Sequence, residues 1–170
     1  MLLWKSEAHK GQIGMIKTNA MRLLDQEKIK YKSIEYEVDE NNLAGEYVAA
    51  QIGIPAEQVF KTLVAKGEKK GVVVFCIPVN MELNLKKAAS IVGEKKIELV
   101  HVKDLLGLTG YIRGGCSPIG MKKKYPTYIE ESAILFDTIT ISAGIRGCQL
   151  LMKTDDLINF VDAVVCDIAE

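Results

Sequence analysis

Phe60-Lys-Thr-Leu-Val-Ala-Lys66, Gly67-Glu-Lys-Lys-Gly71 and Val72-Val-Val-Phe-Cys-Ile-Pro78 follow one another without interruption. Two β-rich runs around a glycine-bounded polar turn predict an antiparallel hairpin. Val72 to Ile77 is apolar without alternation, so the second strand is expected to be covered on both faces. A strand of that kind needs partners on either side, and the flanking sequence supplies them.

Upstream, Thr18 is a plausible N-cap, and Ala20, Met21, Leu23 and Leu24 recur at helical spacing up to about Ile29. Tyr31 to Val38 alternates, with Lys32, Ile34, Tyr36 and Val38 on one side, and reads as a strand. Gly45 to Ile52 reads as a short helix stopped by Gly53 and Pro55. Downstream, Asn84 to Val92 reads as a helix stopped by Gly93, Lys96 to Val100 as a strand, and Val102 to Leu106 as a short helix ending at Gly107. Thr109 to Gly120 is dense in Gly and Pro and reads as an irregular loop. Thr138 to Ala143 and Gly147 to Lys153 are β-like around Gly144-Ile-Arg-Gly147; Thr154 opens a capped helix, and Val164 to Ile168 is a last apolar run. Helices interspersed with hairpins predict a mixed, partly antiparallel α/β domain.

At 170 residues with 48% hydrophobic and 26% charged side chains, the chain has the composition of one globular domain. Residues 1–14 are read as an extension that is non-native or loose, and residues 15–170 as the domain. Twenty-two basic and 22 acidic residues leave no global field to attract nucleic acid, so any RNA contact is local, and no basic recognition helix suggests DNA binding. Cys76, Cys116, Cys148 and Cys166 form no Cys-x-x-Cys pair and are read as reduced thiols. The opening apolar run is too short for a signal sequence and no stretch suits a membrane span, so a cytoplasmic protein is expected.

The chemistry visible without analogy is sparse. His9 and His101 are the histidines, and no zinc-hydrolase, nucleophile-elbow or Walker pattern occurs. No metal and no cofactor are expected. Lys61 sits in an otherwise apolar strand: periodicity favours a side chain turned to solvent, whereas burial would demand an anionic or carbonyl partner. Gly114-Gly-Cys-Ser-Pro-Ile-Gly120 either lets backbone amides converge on an oxyanion or simply makes a tight connection. Cys116 and Cys148 read as small core residues. Lys122 to Lys124, Lys86-Lys87 and Lys95-Lys96 are basic clusters that can meet phosphates or merely face solvent.

Taken in order, Val59-Phe-Lys-Thr-Leu63, Leu85-Lys-Lys87, Thr109-Gly-Tyr111, Gly114-Gly-Cys-Ser-Pro-Ile-Gly120 and Ser142-Ala-Gly-Ile-Arg-Gly147 resemble the signature series of the YbaK/EbsC family of aminoacyl-tRNA editing domains, related to the editing insertion of bacterial prolyl-tRNA synthetases. The match runs from about Ile16 to the C-terminus. The resemblance implies a compact domain with a curved, barrel-like mixed sheet surrounded by helices. It implies deacylation of misacylated tRNA, with Cys-tRNA(Pro) as the leading substrate and the substrate's own thiol assisting ester cleavage. Alanyl or another small misacylated group is the alternative substrate, and a non-catalytic binding module for aminoacyl-tRNA or protein is the alternative of another class. By resemblance Lys61 is the functional lysine; Thr62, Gly114, Gly115 and Ser117 surround the aminoacyl-adenosine end, and Tyr36 packs near it. Two departures stand out: Gln149 occupies an acidic position of the family pattern, close to the substrate's amino group, and Ala44 replaces an aromatic side chain. Prolyl-tRNA synthetase is the protein partner the resemblance suggests.

Overall fold

The structure, a computed structural model, describes residues 17–170. The extension read at residues 1–14, with His9, lies outside the described residues.

Thr18 starts helix α1, Asn19–Gln26, its Oγ1 accepting the Met21 N–H at 3.2 Å, and the helix buries Ala20, Met21 and Leu24. Strand β1, Tyr31–Glu35, is shorter than the alternation predicts, and Val38 beyond it is exposed. Helix α2, Gly45–Ile52, ends at Gly53 in the left-handed conformation. The hairpin forms as read: β2, Phe60–Gly67, pairs antiparallel with β3, Gly71–Pro78, from Phe60 opposite Pro78 to Gly67 opposite Gly71. Helix α3, Leu85–Val92, is capped by Asn84, and β4, Ile97–Leu99, follows.

Helix α4, Val102–Thr109, continues through Gly107, contrary to the expected stop, and closes at Gly110. An interior glycine costs about 1 kcal/mol relative to alanine; the Thr109 hydroxyl, donating to the Leu105 carbonyl at 2.8 Å, holds the last turn against it. Strand β5, Thr127–Glu130, and the 3-10 helix Glu131–Leu135 were not read from sequence. Strands β6, Thr138–Ser142, and β7, Cys148–Lys153, flank the second glycine turn. Helix α5, Thr154–Phe160, is not capped by Thr154, whose hydroxyl donates instead to the Phe136 carbonyl at 2.7 Å. Strand β8, Val164–Cys166, is followed by a tail whose Ala169 bridges Leu83.

These strands form two sheets: an antiparallel β1-β7-β6 and a mixed β4-β2-β3-β5-β8, in which β3, β5 and β8 run parallel. The barrel-like single sheet is therefore corrected. The outer edge of β2 is taken by β4 only at Ala65–Gly67, and β6 makes only an isolated bridge, Thr140 with Val59 just before β2, so the ladder does not close.

The main core lies between the sheets, where Phe60 and Cys76 meet Ile139 and Ile141 of β6, Leu150 and Met152 of β7, and Met21 and Leu24 of α1. Val73, Phe75 and Ile77 point the other way, against Ala88, Ala89 and Val92 of α3. β3 is thus covered on both faces, as its unbroken apolar run predicts, each large side chain contributing about 1.5–3 kcal/mol on burial. Glu94 is a buried carboxylate that closes the hairpin turn: its oxygens accept the Lys69 N–H at 2.9 and 3.1 Å and the Lys70 N–H at 2.9 Å. No helix of the described residues is long and apolar enough to cross a membrane.

Candidate active site

Because β4 covers β2 only from Ala65 onward, no strand pairs with the outer edge of β2 at Lys61–Leu63. A cleft of about 500 Å³ occupies that gap, within the range of small-ligand sites. Its walls come from five places in the chain: the β2 edge from Phe60 to Val64, the start of α2 at Leu43–Gly45, the β4-α4 corner, the loop at Arg113–Cys116, and a floor made by Ser142 and Gln149. Ser142 and Gln149 are directly opposite one another on β6 and β7, so sheet register brings together two residues separated by the glycine turn.

Of the residues expected from sequence, Lys61, Thr62, Gly114 and Gln149 line this one cleft. Lys61 lines the cleft, is half-buried and has no ion-pair partner among the described residues. The Thr62 hydroxyl lies 4.0 Å from Cys76 Sγ, at the limit of a sulfur hydrogen bond.

Three expected residues stand outside the cleft wall. Gly115 is buried behind it, donating its N–H to the Ile112 carbonyl at 2.9 Å. A Cβ at Gly115 would stand 3.0 Å from the backbone of Ile145 and Arg146, so the absent side chain lets the two glycine loops pack against each other. Ser117 is fully buried, and its Oγ accepts the Ile119 N–H at 3.2 Å, which shapes the loop from within. Tyr36 lines a smaller adjoining pocket with Tyr47 and Arg146, which shares Leu43, Val48 and Gly114 with the cleft. The Arg146 Nε–H donates to the Arg113 carbonyl at 2.8 Å and ties the two loops together.

Sequence reading missed Ser142 and Arg113 as wall residues, together with the apolar rim at Leu99, Val102 and Leu105. Ser142 belongs to a motif that was noticed, but only the β6-β7 register shows that it faces Gln149.

The cleft is apolar apart from a few directed polar groups. Among the described residues, Lys61 and Arg113 are its charged side chains, and no carboxylate and no histidine lines it. His101 is exposed in the neighbouring groove with Lys103 and Asp104. Cys116 lines the cleft, yet burial pushes its thiol up to about 12, against a smaller opposing hydrogen bond from Thr109. A thiol held so high is protonated near neutral pH and is a poor nucleophile. Replacing it tests that directly: Cys116→Ala is expected to keep the ester-cleavage rate within about threefold of wild type in a single-turnover assay, whereas loss of activity in a folded variant would make Cys116 the attacking group. Among the described residues no group of three or more His, Cys, Asp or Glu is arranged to hold a metal ion. The arrangement can bind, orient and polarise an ester, and it offers no acid or imidazole side chain in the wall to act as general base.

The family model of the aminoacyl-tRNA editing domain matches residues 40–160, a span that holds every wall residue of the cleft. EbsC of Enterococcus faecalis, named as a Cys-tRNA(Pro)/Cys-tRNA(Cys) deacylase, is 48% identical over 152 residues, covering 89% of this chain and 93% of that protein. A proline–tRNA ligase of Thermosipho africanus is 28% identical over 92 residues, 54% of this chain but 16% of the ligase. A solved structure described as a trans-editing enzyme for prolyl tRNA synthetase superposes with a TM-score of 0.78 at 23% identity, covering 92% of this chain and 99% of that one, which shows a common fold.

Proposed function

The chain belongs to the aminoacyl-tRNA editing domain family, and from that premise we propose that it deacylates misacylated tRNA, with cysteine on Cys-tRNA(Pro) as its substrate. The observation that carries this reading is Lys61, without an ion-pair partner, at the open edge of β2 in a cleft that Gly114 also lines and to which no acid or histidine of the described residues contributes. Such a site suits an ester whose cleavage develops negative charge and whose nucleophile comes with the substrate.

The aminoacyl-adenosine end enters the cleft with its ester carbonyl towards Lys61. The cysteine sulfur attacks that carbonyl, an S–C bond forms, the C–O bond to the terminal ribose breaks, and the ribose oxygen leaves with the thiol's proton. Lys61 stabilises the developing oxyanion, and the apolar rim holds sulfur and carbonyl together, raising their effective concentration. Thr62 and Gly114 contact the aminoacyl-adenosine end. Gly115 and Ser117 act on it through the loop they shape, and Tyr36 acts from the adjoining pocket. Prolyl-tRNA synthetase presents the substrate as a transient partner, in keeping with a chain of zero net charge.

A second reading, clearance of alanine or another small residue, is favoured by Ala44 at the cleft wall, where a small side chain leaves room for a different group. One experiment separates the two. Purified protein is incubated with Cys-, Ala- and Ser-charged tRNA(Pro), with and without chelator, and release of amino acid is followed. The cysteine reading expects cleavage of the cysteinyl ester alone, unaffected by chelator. Faster cleavage of the alanyl ester would replace it with the second reading, and intact esters throughout would overturn the deacylase function.

A further inference from the structure

The tetrapeptide Gly-Glu-Lys-Lys occurs twice, as Gly67-Glu-Lys-Lys70 in the β2-β3 turn and as Gly93-Glu-Lys-Lys96 between α3 and β4, and the fold sets the two side by side. Glu94 of the second accepts the Lys69 and Lys70 N–H groups of the first. Gly67 makes room for it: a Cβ there would stand 1.8 Å from Glu94 Oε2. Lys70 in turn reaches Gly93, where an added Cβ would lie 3.6 Å from the Lys70 Cε. One buried carboxylate, engaged by backbone donors, thus gathers Lys69, Lys70, Lys95 and Lys96 at one corner of the molecule. All four lysines are exposed, and Lys96 alone of them has an ion-pair partner among the described residues, Glu98.

The corner is continuous with the cleft. A groove of about 720 Å³ shares Leu99 and Val100 with the cleft wall and is lined as well by Lys66, His101, Lys103 and the turn residues Gly67 and Glu68. Lys61 and Gly67, both on β2, stand roughly 20 Å apart at about 3.3 Å per residue. Groove and corner together carry Lys66, Lys69, Lys70, Lys95, Lys96 and Lys103 against Glu68, Glu94, Glu98 and Asp104, and of these carboxylates Glu94 is buried. In a chain of zero net charge that is a local excess of cations, presented by exposed ammonium groups. Such a surface fits a polyanion. An RNA whose 3′ end enters the cleft is a polyanion that must leave across its rim, and the groove is an exit that ends among lysines. Phosphates several nucleotides back from the ester are the groups that reach the corner.

We infer that the corner built from the two Gly-Glu-Lys-Lys segments binds backbone phosphates of the tRNA acceptor arm, with Lys69, Lys70 and Lys95 as the contacts and Glu94 as the residue that positions them. The inference rests on the deacylase reading and adds to it a surface outside the cleft. Lysine contacts to phosphates carry no base sequence, so the corner strengthens binding of the RNA and leaves the choice of amino acid to the cleft.

The test is the variant Lys69→Ala/Lys70→Ala/Lys95→Ala, assayed without synthetase on Cys-tRNA(Pro) and on a cysteinylated CCA trinucleotide. These side chains are exposed and the Glu94 contacts are to backbone N–H groups, so the fold is kept. On Cys-tRNA(Pro) kcat/KM is expected to fall through KM with kcat unchanged. The ratio of wild type to variant should shrink about three- to fourfold per phosphate contact between about 50 and 200 mM salt. On the trinucleotide the two proteins should agree within about twofold; should wild type leave the trinucleotide intact, the division between kcat and KM on tRNA decides. A control variant, Arg22→Ala/Lys30→Ala/Lys153→Ala, removes the same charge from exposed residues outside both walls and should match wild type. Unchanged kcat/KM on tRNA, an equal loss on the trinucleotide, an equal loss in the control, or a loss that appears only when synthetase is added would each overturn the inference and leave the deacylase function intact. Failure of the wild type to cleave Cys-tRNA(Pro) overturns that function, and the inference falls with it.

Discussion

Lys61→Ala is expected to slow single-turnover cleavage of Cys-tRNA(Pro) by about 10²- to 10³-fold, the loss that follows removal of one preorganised donor from an oxyanion site. The unfolding midpoint should hardly move. Lys61 has no ion-pair partner among the described residues, so truncation strands no buried counter-charge, and the strand that carries it is held by Phe60 and Val64 on either side. Thermal unfolding measured beside the rate separates the two effects. Lys61→Arg is expected to recover only part of the activity, because a planar, larger guanidinium cannot occupy the place of a compact ammonium in a cleft of about 500 Å³. A folded Lys61→Ala protein that cleaves within about threefold of wild type would remove the cation from the mechanism.

The wall around Lys61 explains why such a loss would not be made good by a neighbour. Thr62 turns its hydroxyl towards Cys76, Ser142 accepts from Gly144, and Arg113 is an exposed loop residue whose carbonyl is fixed by Arg146. The cleft places one half-buried lysine in a wall that is mostly apolar, with Arg113 the other charged side chain.

Local signals carried the elements well. The hairpin from Phe60 to Pro78 was legible because turn and strands are contiguous, and α2 because Gly53 ends it in a conformation that glycine favours. Long-range facts were not legible. β5 has four residues and finds its parallel partners, β3 and β8, far away in the chain. Glu94 looks like one more charge in Gly93-Glu-Lys-Lys96, and nothing local says that it reaches back to accept from Lys69 and Lys70. The setting of Lys61 was the central ambiguity: strand alternation favoured a side chain turned to solvent, and only the start of β4 pairing at Ala65 shows that Lys61 borders an open cleft instead of a paired edge. Motif resemblance selected Lys61, Thr62, Gly114 and Gln149, which share the cleft wall, and also Gly115 and Ser117, which shape the loop from behind it. A motif records that a position matters without recording whether it touches ligand.

Phe60→Ala is expected to destabilise the fold by about 3–5 kcal/mol, the usual cost of removing a buried aromatic ring and leaving a cavity. For a chain of this size that corresponds to a fall of roughly 6–20 °C in the unfolding midpoint. The ring is 2% exposed and packs between the sheets with Ile139, Ile141 and Leu150, where the backbone link to β6 is the isolated Val59–Thr140 bridge just before β2. Phe60 therefore does for the sheets what backbone pairing does not: it holds together two layers whose ladders stay separate. Adjacent residues on a strand point to opposite faces, so this anchor fixes the position from which Lys61 reaches the cleft. Below its lowered midpoint, Phe60→Ala should consequently lose part of its cleavage rate even in the folded fraction, and Phe60→Leu, which keeps most of the apolar volume, should recover both stability and rate. A Phe60→Ala protein with the unfolding midpoint of wild type would mean that the two sheets are held by something other than the side chains packed between them.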